Sequence, residues 1–190
     1  MDIVEQIKQY QPYNELEEKD KETILKCIET YPDVFYRENN VVHMTASAWV
    51  TNKTHDKILM AYHNIYKSFS WLGGHCDGQR DCLSVAIKEV KEESGINDVK
   101  AASEDILSIE ALTVNGHYKH GKYVSSHLHL NVTYLLEADD SEELKIKEDE
   151  NSAVKWFGVD EAVQASNEKW FRDNVYSKLN RKMREYYENN

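Results

Sequence analysis

The segment 71–96, WLGGHCDGQRDCLSVAIKEVKEESGI, restricts the fold more than any other part of the sequence. It holds four of the seven glycines in the chain. A short apolar strand end precedes Gly73 and Gly74, and a polar loop follows them. A helix is predicted from about Asp81, which suits the N-cap position, and Gly95 is typical of the left-handed residue that ends a helix. The segment therefore predicts a strand, a glycine loop and a helix in immediate succession.

The predicted helix carries an apolar arc beside an acidic arc when it is projected at about 100° per residue. The apolar arc, which should face the core, consists of Leu83, Ala86, Ile87 and Val90. The acidic arc consists of Glu89, Glu92 and Glu93. Like charges so placed cost a few tenths of a kcal/mol per pair, and a divalent cation such as Mg²⁺ would reverse that cost. The alternative is an ordinary charged helix face that Lys88 and Lys91 screen.

This segment resembles the Nudix box. The box pattern is Gly, five residues, Glu, seven residues, Arg-Glu, an aliphatic residue, any residue, Glu-Glu, any residue, Gly and an aliphatic residue. With Gly74 first, the matching positions are Glu89, Val90, Glu92, Glu93, Gly95 and Ile96. Arg80 replaces the first glutamate of the pattern and Lys88 replaces the arginine, so the usual brace between those two positions is missing. We expect Asp77 or Asp81 to partner Lys88 instead.

Other parts of the chain predict a mixed sheet with helices packed on it, in the α+β class. The chain begins with a predicted helical segment that is interrupted at Pro12 and ends near Pro32. It ends with a predicted helix from about Asn167, whose side chains toward the core are Trp170, Phe171, Tyr176, Leu179 and Met183. Strands are predicted at 46–51, 57–63, 105–114, 126–136 and 153–157, and the acidic stretch 137–151 is a predicted loop. The resemblance implies a Nudix-like α/β/α sandwich. We predict a single domain over 1–190, with a helical extension at 1–42 and the Nudix core at 43–190.

The resemblance also implies a divalent-metal-dependent hydrolase that cleaves a pyrophosphate bond in a nucleoside diphosphate derivative. Glu89, Glu92, Glu93 and the backbone carbonyl of Gly74 would hold Mg²⁺, with Mn²⁺ as a substitute. Glu93 is the first candidate for the general base and Glu150, ahead of the last strand, is the second.

Histidines and one lysine are the candidate substrate contacts. His127 and His129 lie on the polar face of one strand, because residues i and i+2 point the same way. Lys67 precedes the box, where a cation can meet a terminal phosphate. The alternatives are solvent-facing or hydrogen-bonded sheet residues and a solvated strand end. His117 and His120 are predicted to be loop residues at the rim of the site.

The charge balance restricts the partners of the chain. Lys and Arg number 23 and Asp and Glu 34, so the net charge is −11 and a direct nucleic-acid binder is excluded. A small nucleotide or diphosphate is the expected ligand, with a metal between the two acidic partners. No apolar run approaches the roughly 18 residues of a membrane span, and a cytoplasmic location is expected. The N-terminal helices are a candidate homodimer contact.

Three alternatives stay open at this point. The cysteines Cys27, Cys76 and Cys82 are expected to be reduced thiols, although Cys76 and Cys82 near His75 could bind a metal. The departures from the box also fit a nucleotide-binding or sensing module without turnover. A third alternative is an isopentenyl diphosphate isomerase, but the extra cysteine and glutamate of that site are not recognisable here.

Overall fold

The computed structural model describes residues 1–119 and 121–190. The helices are α1 (Ile3–Gln9), α2 (Glu15–Thr30), α3 (Cys82–Ser94), α4 (Val159–Ala165), α5 (Lys169–Phe171) and α6 (Ser177–Asn189), with a π-helical turn (Arg172–Tyr176) between the last two. The strands are β1 (Val42–Asn52), β2 (Lys57–His63), β3 (Ser68–Ser70), β4 (Leu72–His75), β5 (Val99–Ala101), β6 (Ser108–Val114), β7 (His117–Lys119), β8 (Lys122–Val124), β9 (His127–Ala138) and β10 (Asn151–Gly158).

Two long strands, β1 and β9, form the centre of the main sheet. They run parallel over their whole paired length, from Val42 opposite Leu128 to Asn52 opposite Ala138. The strands β2 and β4 pair with β1 in the antiparallel sense, and β5 and β6 do the same with β9. β10 extends the sheet beyond β2. The sheet is therefore mixed, which confirms the predicted class.

Each face of the sheet has its own apolar core, because side chains alternate along the strands. On β1, Met44 and Ala46 pack in the core on which α3 lies, whereas Trp49 packs in the core formed with α4 and α6. The alternation predicted for β9 is confirmed, since Leu130 and Val132 lie in the first core. Helices on both faces make the predicted α/β/α sandwich.

The N-terminal helices predicted around Pro12 are present as α1 and α2. Their apolar side chains Ile3, Ile7 and Ile24 are buried in the core under α3, so these helix faces are used within the chain. Glu17 of α2 is fully buried, which its position in an acidic helix did not predict.

Several details differ from the sequence prediction. The strand β1 begins at Val42 instead of residue 46, β3, β5, β7 and β8 were not predicted, and His117 lies in a strand instead of a loop. Glu137 belongs to β9 and Asn151 to β10, so the acidic loop is shorter than the predicted 137–151. Trp170 is 46% exposed, because only the later residues of the C-terminal segment reach the core. The helix α4 was not predicted. Among the residues described, no helix combines the length and apolar character needed to cross a membrane.

Candidate active site

The predicted strand, glycine loop and helix are present in segment 71–96. Asp81 caps α3 by accepting a hydrogen bond from the backbone N–H of Ser84, 3.1 Å away. Gly95 ends the helix with φ of +76°, in the left-handed region that glycine adopts without strain. Of the predicted apolar arc, Ala86 and Val90 are fully buried. The local signals therefore set where α3 begins and ends.

Three carboxylates converge at the end of β4, and they come from two distant segments. Oxygen atoms of Glu89, Glu93 and Glu150 all lie within 4.8 Å of one another. Glu89 and Glu93 project from adjacent turns of α3. The loop before β10 delivers Glu150, and it is held there because Asn151 donates a hydrogen bond to the backbone carbonyl of Glu93, at 3.1 Å. We call these three residues the carboxylate cluster.

Burial shapes the electrostatics of the carboxylate cluster. Glu93 is 8% exposed, and burial, with the neighbouring charges of Glu89 and Glu150, raises its pKa well above the ordinary value. Burial likewise raises the pKa of Glu89. Lys147, which the sequence analysis missed, lies 3.0 Å from a Glu150 oxygen and partly compensates the negative charge. A cluster of like charges in a partly buried site is an arrangement that a divalent cation stabilises.

Gly74 supports the same conclusion by its lack of a side chain. A Cβ atom at this position would lie only 2.5 Å from the carboxyl carbon of Glu89. The glycine therefore lets the carboxylate approach the backbone of β4, next to the carbonyl that the sequence analysis placed among the ligands. Oxygen donors of this kind fit the preferences of Mg²⁺ and Mn²⁺.

Glu92 lies outside the carboxylate cluster. Its side chain is 41% exposed and forms ion pairs with Lys88, at 3.3 Å, and Lys147, at 3.5 Å. The sequence predicts one group of Glu89, Glu92 and Glu93 because all three share one arc of the helix. Packing of α3 against the sheet buries Glu89 and Glu93 and leaves Glu92 at the solvent edge.

The two departures from the box are accommodated by different partners. Arg80 pairs with Asp2 at 3.0 Å and its guanidinium lies 4.5 Å from the centre of the Phe35 ring. The loop is thus tied to the N-terminal extension instead of to α3. The prediction that Asp77 or Asp81 partners Lys88 was wrong.

The two aspartates already have partners of their own. Asp77 is held in a bidentate contact by Arg37, and Asp81 accepts hydrogen bonds from Ser84. Lys88 instead pairs with Glu89, at 3.6 Å, and with Glu92.

His127 and His129 share a face as predicted, and the structure adds two more histidines to them. The ring centre of His43 lies 4.9 Å from those of His75 and His127 and 4.8 Å from that of His129. We call these four residues the histidine cluster. His43 was missed because the predicted strand began after it, although β1 places it directly opposite His129.

The histidine and carboxylate clusters lie on opposite faces of one strand end. Gly74 of β4 approaches Glu89, and the next residue, His75, packs against His43 and His129 on the other side. Successive residues of a strand point to opposite faces, so the chain itself separates the two clusters.

The remaining candidates are dispersed. Lys67 is exposed at the end of the turn between β2 and β3, and the backbone N–H of Asn64 in that turn donates to the carbonyl of Glu150, at 3.1 Å. His117 begins β7, 6.4 Å from the ring of His127, and His120 lies outside the described residues.

The three cysteines are free thiols. Cys76 and Cys82 are buried in the core under α3, with their sulfur atoms 3.6 Å apart. His75 lies on the other face of the sheet, so the alternative metal site of these three residues is not formed.

Comparisons with known proteins agree with this geometry. Residues 41–179 match the NUDIX domain family model. The fold is similar to that of an Ap4A hydrolase from C. elegans in a binary complex, at 19% identity and a TM-score of 0.55, over 77% of this chain and 98% of that one. It is also similar to a Nudix family hydrolase from Clostridium perfringens, at 24% identity and a TM-score of 0.51, over 72% of this chain and 95% of that one.

A third similar structure is an ADP-ribose pyrophosphatase from Streptococcus suis, at 21% identity and a TM-score of 0.50, over 75% of this chain and 90% of that one. No curated protein sequence matches this chain. At these identities the structures establish a shared fold, while the family model covers well over half of the chain.

Proposed function

The chain belongs to the Nudix family, and on this premise we propose that it is a divalent-metal-dependent hydrolase that cleaves a pyrophosphate bond in a nucleoside diphosphate derivative. The observation that carries the proposal is the carboxylate cluster, because three partly buried carboxylates within 4.8 Å of one another need a cation to share the site in ionised form. The solved relatives described as an Ap4A hydrolase and an ADP-ribose pyrophosphatase act on substrates of this kind.

In this proposal Glu89, Glu93 and Glu150 hold the cation, with the backbone carbonyl of Gly74, and Glu92 contributes from the solvent edge. Mg²⁺ is the proposed ion and Mn²⁺ its substitute. A divalent cation in such a site neutralises the diphosphate and lowers the pKa of a water molecule.

We assign the general base to Glu93. Its carboxylate accepts a hydrogen bond from the backbone N–H of Gly73, which fixes it at the end of β4. Glu92 and Glu150, each of which forms an ion pair with Lys147, are the alternatives. Lys67, His127 and His129 stay the proposed substrate contacts. A cytoplasmic location and a homodimer also remain proposals.

The test is hydrolysis of a panel of nucleoside triphosphates, dinucleoside polyphosphates, nucleotide sugars and ADP-ribose with Mg²⁺ or Mn²⁺. We expect release of phosphate, pyrophosphate or a nucleoside monophosphate from at least one compound. Glu93→Gln should lower kcat by about 10²-fold or more, since a positioned base contributes about 10²–10⁴-fold. The matched control Glu104→Gln changes an exposed glutamate away from the cluster and should keep full activity. Nucleotide binding without turnover across the panel would instead favour a sensing module.

A further inference from the structure

The histidine cluster is a second group of metal-ligating side chains, outside the carboxylate cluster at which the proposed cleavage takes place. One ring nitrogen from each of His43, His75 and His129 lies within 4.8 Å of the others. His127 adds a fourth ring, with its Nε2 atom 3.2 Å from Nε2 of His129. Nitrogen ligands at about 2.0–2.1 Å in a tetrahedral zinc site are separated by about 3.3 Å from one another. The pair His127 and His129 already has this spacing.

His43 carries the strongest indication of a missing ligand. It is 4% exposed, and its Nε2 atom has no hydrogen-bond partner among the residues that the structure describes. Its Nδ1 atom lies 2.9 Å from the backbone carbonyl of Asn39. A carbonyl only accepts, so Nδ1 carries the proton and Nε2 presents a lone pair. An unsatisfied buried nitrogen of this kind costs free energy unless a ligand occupies it.

His127 repeats the same arrangement. Its Nδ1 atom lies 2.8 Å from the carbonyl of Ser125, so its Nε2 atom is an acceptor, and that atom accepts a hydrogen bond from Nε2 of His129 inside the cluster. In metal sites, a ligating histidine almost always donates its second ring N–H to a carbonyl or a carboxylate, which fixes both the tautomer and the ring orientation. Two of the four rings therefore have the outer hydrogen bond that a metal ligand uses.

We propose that the histidine cluster is a second metal site, which binds a transition-metal dication such as Zn²⁺ or Co²⁺ in preference to Mg²⁺. Imidazole nitrogen suits these ions, whereas Mg²⁺ demands oxygen ligands and gives up its water reluctantly. The chain would then separate two kinds of cation on the two faces of β4, an oxygen site at the carboxylate cluster and a nitrogen site at the histidine cluster.

The hydrogen bonds of the cluster favour a cation. Nδ1 of His43 and Nδ1 of His127 each lie against a backbone carbonyl oxygen, so the Nε2 atom of each ring carries a lone pair. A lone pair of this kind can bind a metal ion. Hydrogen bonding among the residues that the structure describes leaves Nε2 of His43 unsatisfied, and a bound dication would satisfy it.

The test uses Co²⁺, whose visible absorption reports nitrogen ligands and coordination number, added to metal-free protein in excess Mg²⁺. We expect about one equivalent of Co²⁺ to bind and to raise the thermal unfolding temperature, since a ligand that binds only the folded state stabilises it. His43→Asn should weaken Co²⁺ binding by at least about tenfold. Loss of a residue that only hydrogen-bonds to a metal ligand already weakens binding by that factor, and His43 is proposed as a ligand itself. Zn²⁺ should displace the bound Co²⁺.

Two further variants separate this site from its alternatives. His55→Asn is the matched control, because His55 lies at the opposite end of β1, stacked on Tyr187, and its loss should leave the absorption unchanged. Glu93→Gln should also keep it, since that residue belongs to the other face. If His43→Asn does not fold, as judged by circular dichroism, the half-buried His75→Asn takes its place. The proposal is refuted if no Co²⁺ binds in excess Mg²⁺, or if Co²⁺ binds a folded histidine variant as tightly as it binds the unchanged protein.

Discussion

Replacing Gly74 with alanine tests how closely the backbone of β4 must approach the carboxylate cluster. The new Cβ would lie 2.5 Å from the carboxyl carbon of Glu89, while carbon atoms in contact are separated by about 3.5 Å. The carboxylate must therefore retreat by about 1 Å. Because it is the end of a flexible side chain, the fold should tolerate this movement. A misplacement of about 1 Å costs on the order of 10²-fold in rate, so we expect Gly74→Ala to lower kcat/KM by about that factor.

The assay is the steady-state hydrolysis of the best substrate from the panel, together with urea unfolding. Gly158→Ala is the matched control, since its Cβ would also meet a carboxylate, 3.2 Å from an oxygen of Glu161, but at the start of α4. Both variants should lose no more than about 1 kcal/mol of stability. A folded Gly74→Ala protein with unchanged kcat/KM would show that the position of Glu89 does not matter for turnover.

Two further predictions concern the polar network under α2. The Lys178 ammonium lies 2.9 Å from Glu17 and 3.1 Å from Glu110, and both carboxylates are fully buried. Lys178→Met removes this ammonium and should lower the free energy of unfolding by about 3–5 kcal/mol. A loss under about 1 kcal/mol in urea unfolding would contradict this. Burial raises the pKa of Asp20 from 3.8 to about 6 in the folded protein. The unfolded chain therefore releases this proton at lower pH than the folded protein does. As the pH rises from 3.8 to about 6, the ionised carboxylate increasingly destabilises the fold. After allowance for its partial exposure, Asp20→Asn should raise the free energy of unfolding by about 1 kcal/mol near pH 7.5 and have no effect below pH 4, and an equal effect at both pH values would refute the assignment.

The parts of the fold that the sequence predicted are those with strong local signals. Asp81 and Gly95 bound α3 because capping depends on a few adjacent residues, and β9 alternates because its side chains face two different cores. The buried position of Glu17 could not be predicted, since its partner Lys178 is contributed by the far end of the chain.

The candidate site was predictable only in part for a similar reason. Helix geometry groups Glu92 with Glu93, yet packing on the sheet decides which of them is buried. Glu150 was a candidate because an acidic residue precedes the last strand, but its distance from α3 depends on the loop that Asn151 anchors. His43 joins the histidine cluster through strand register, which no local pattern reveals.

The proposed metal site joins carboxylates of α3 to a carboxylate from the loop before β10. The most direct measurement is the affinity of Glu150→Gln for Mn²⁺, followed by electron paramagnetic resonance. The matched control is Glu148→Gln, which changes an exposed glutamate of the same loop. We expect Glu150→Gln to weaken Mn²⁺ binding by about tenfold or more, while the control binds Mn²⁺ as the unchanged protein does. Equal affinities in the two variants would contradict it.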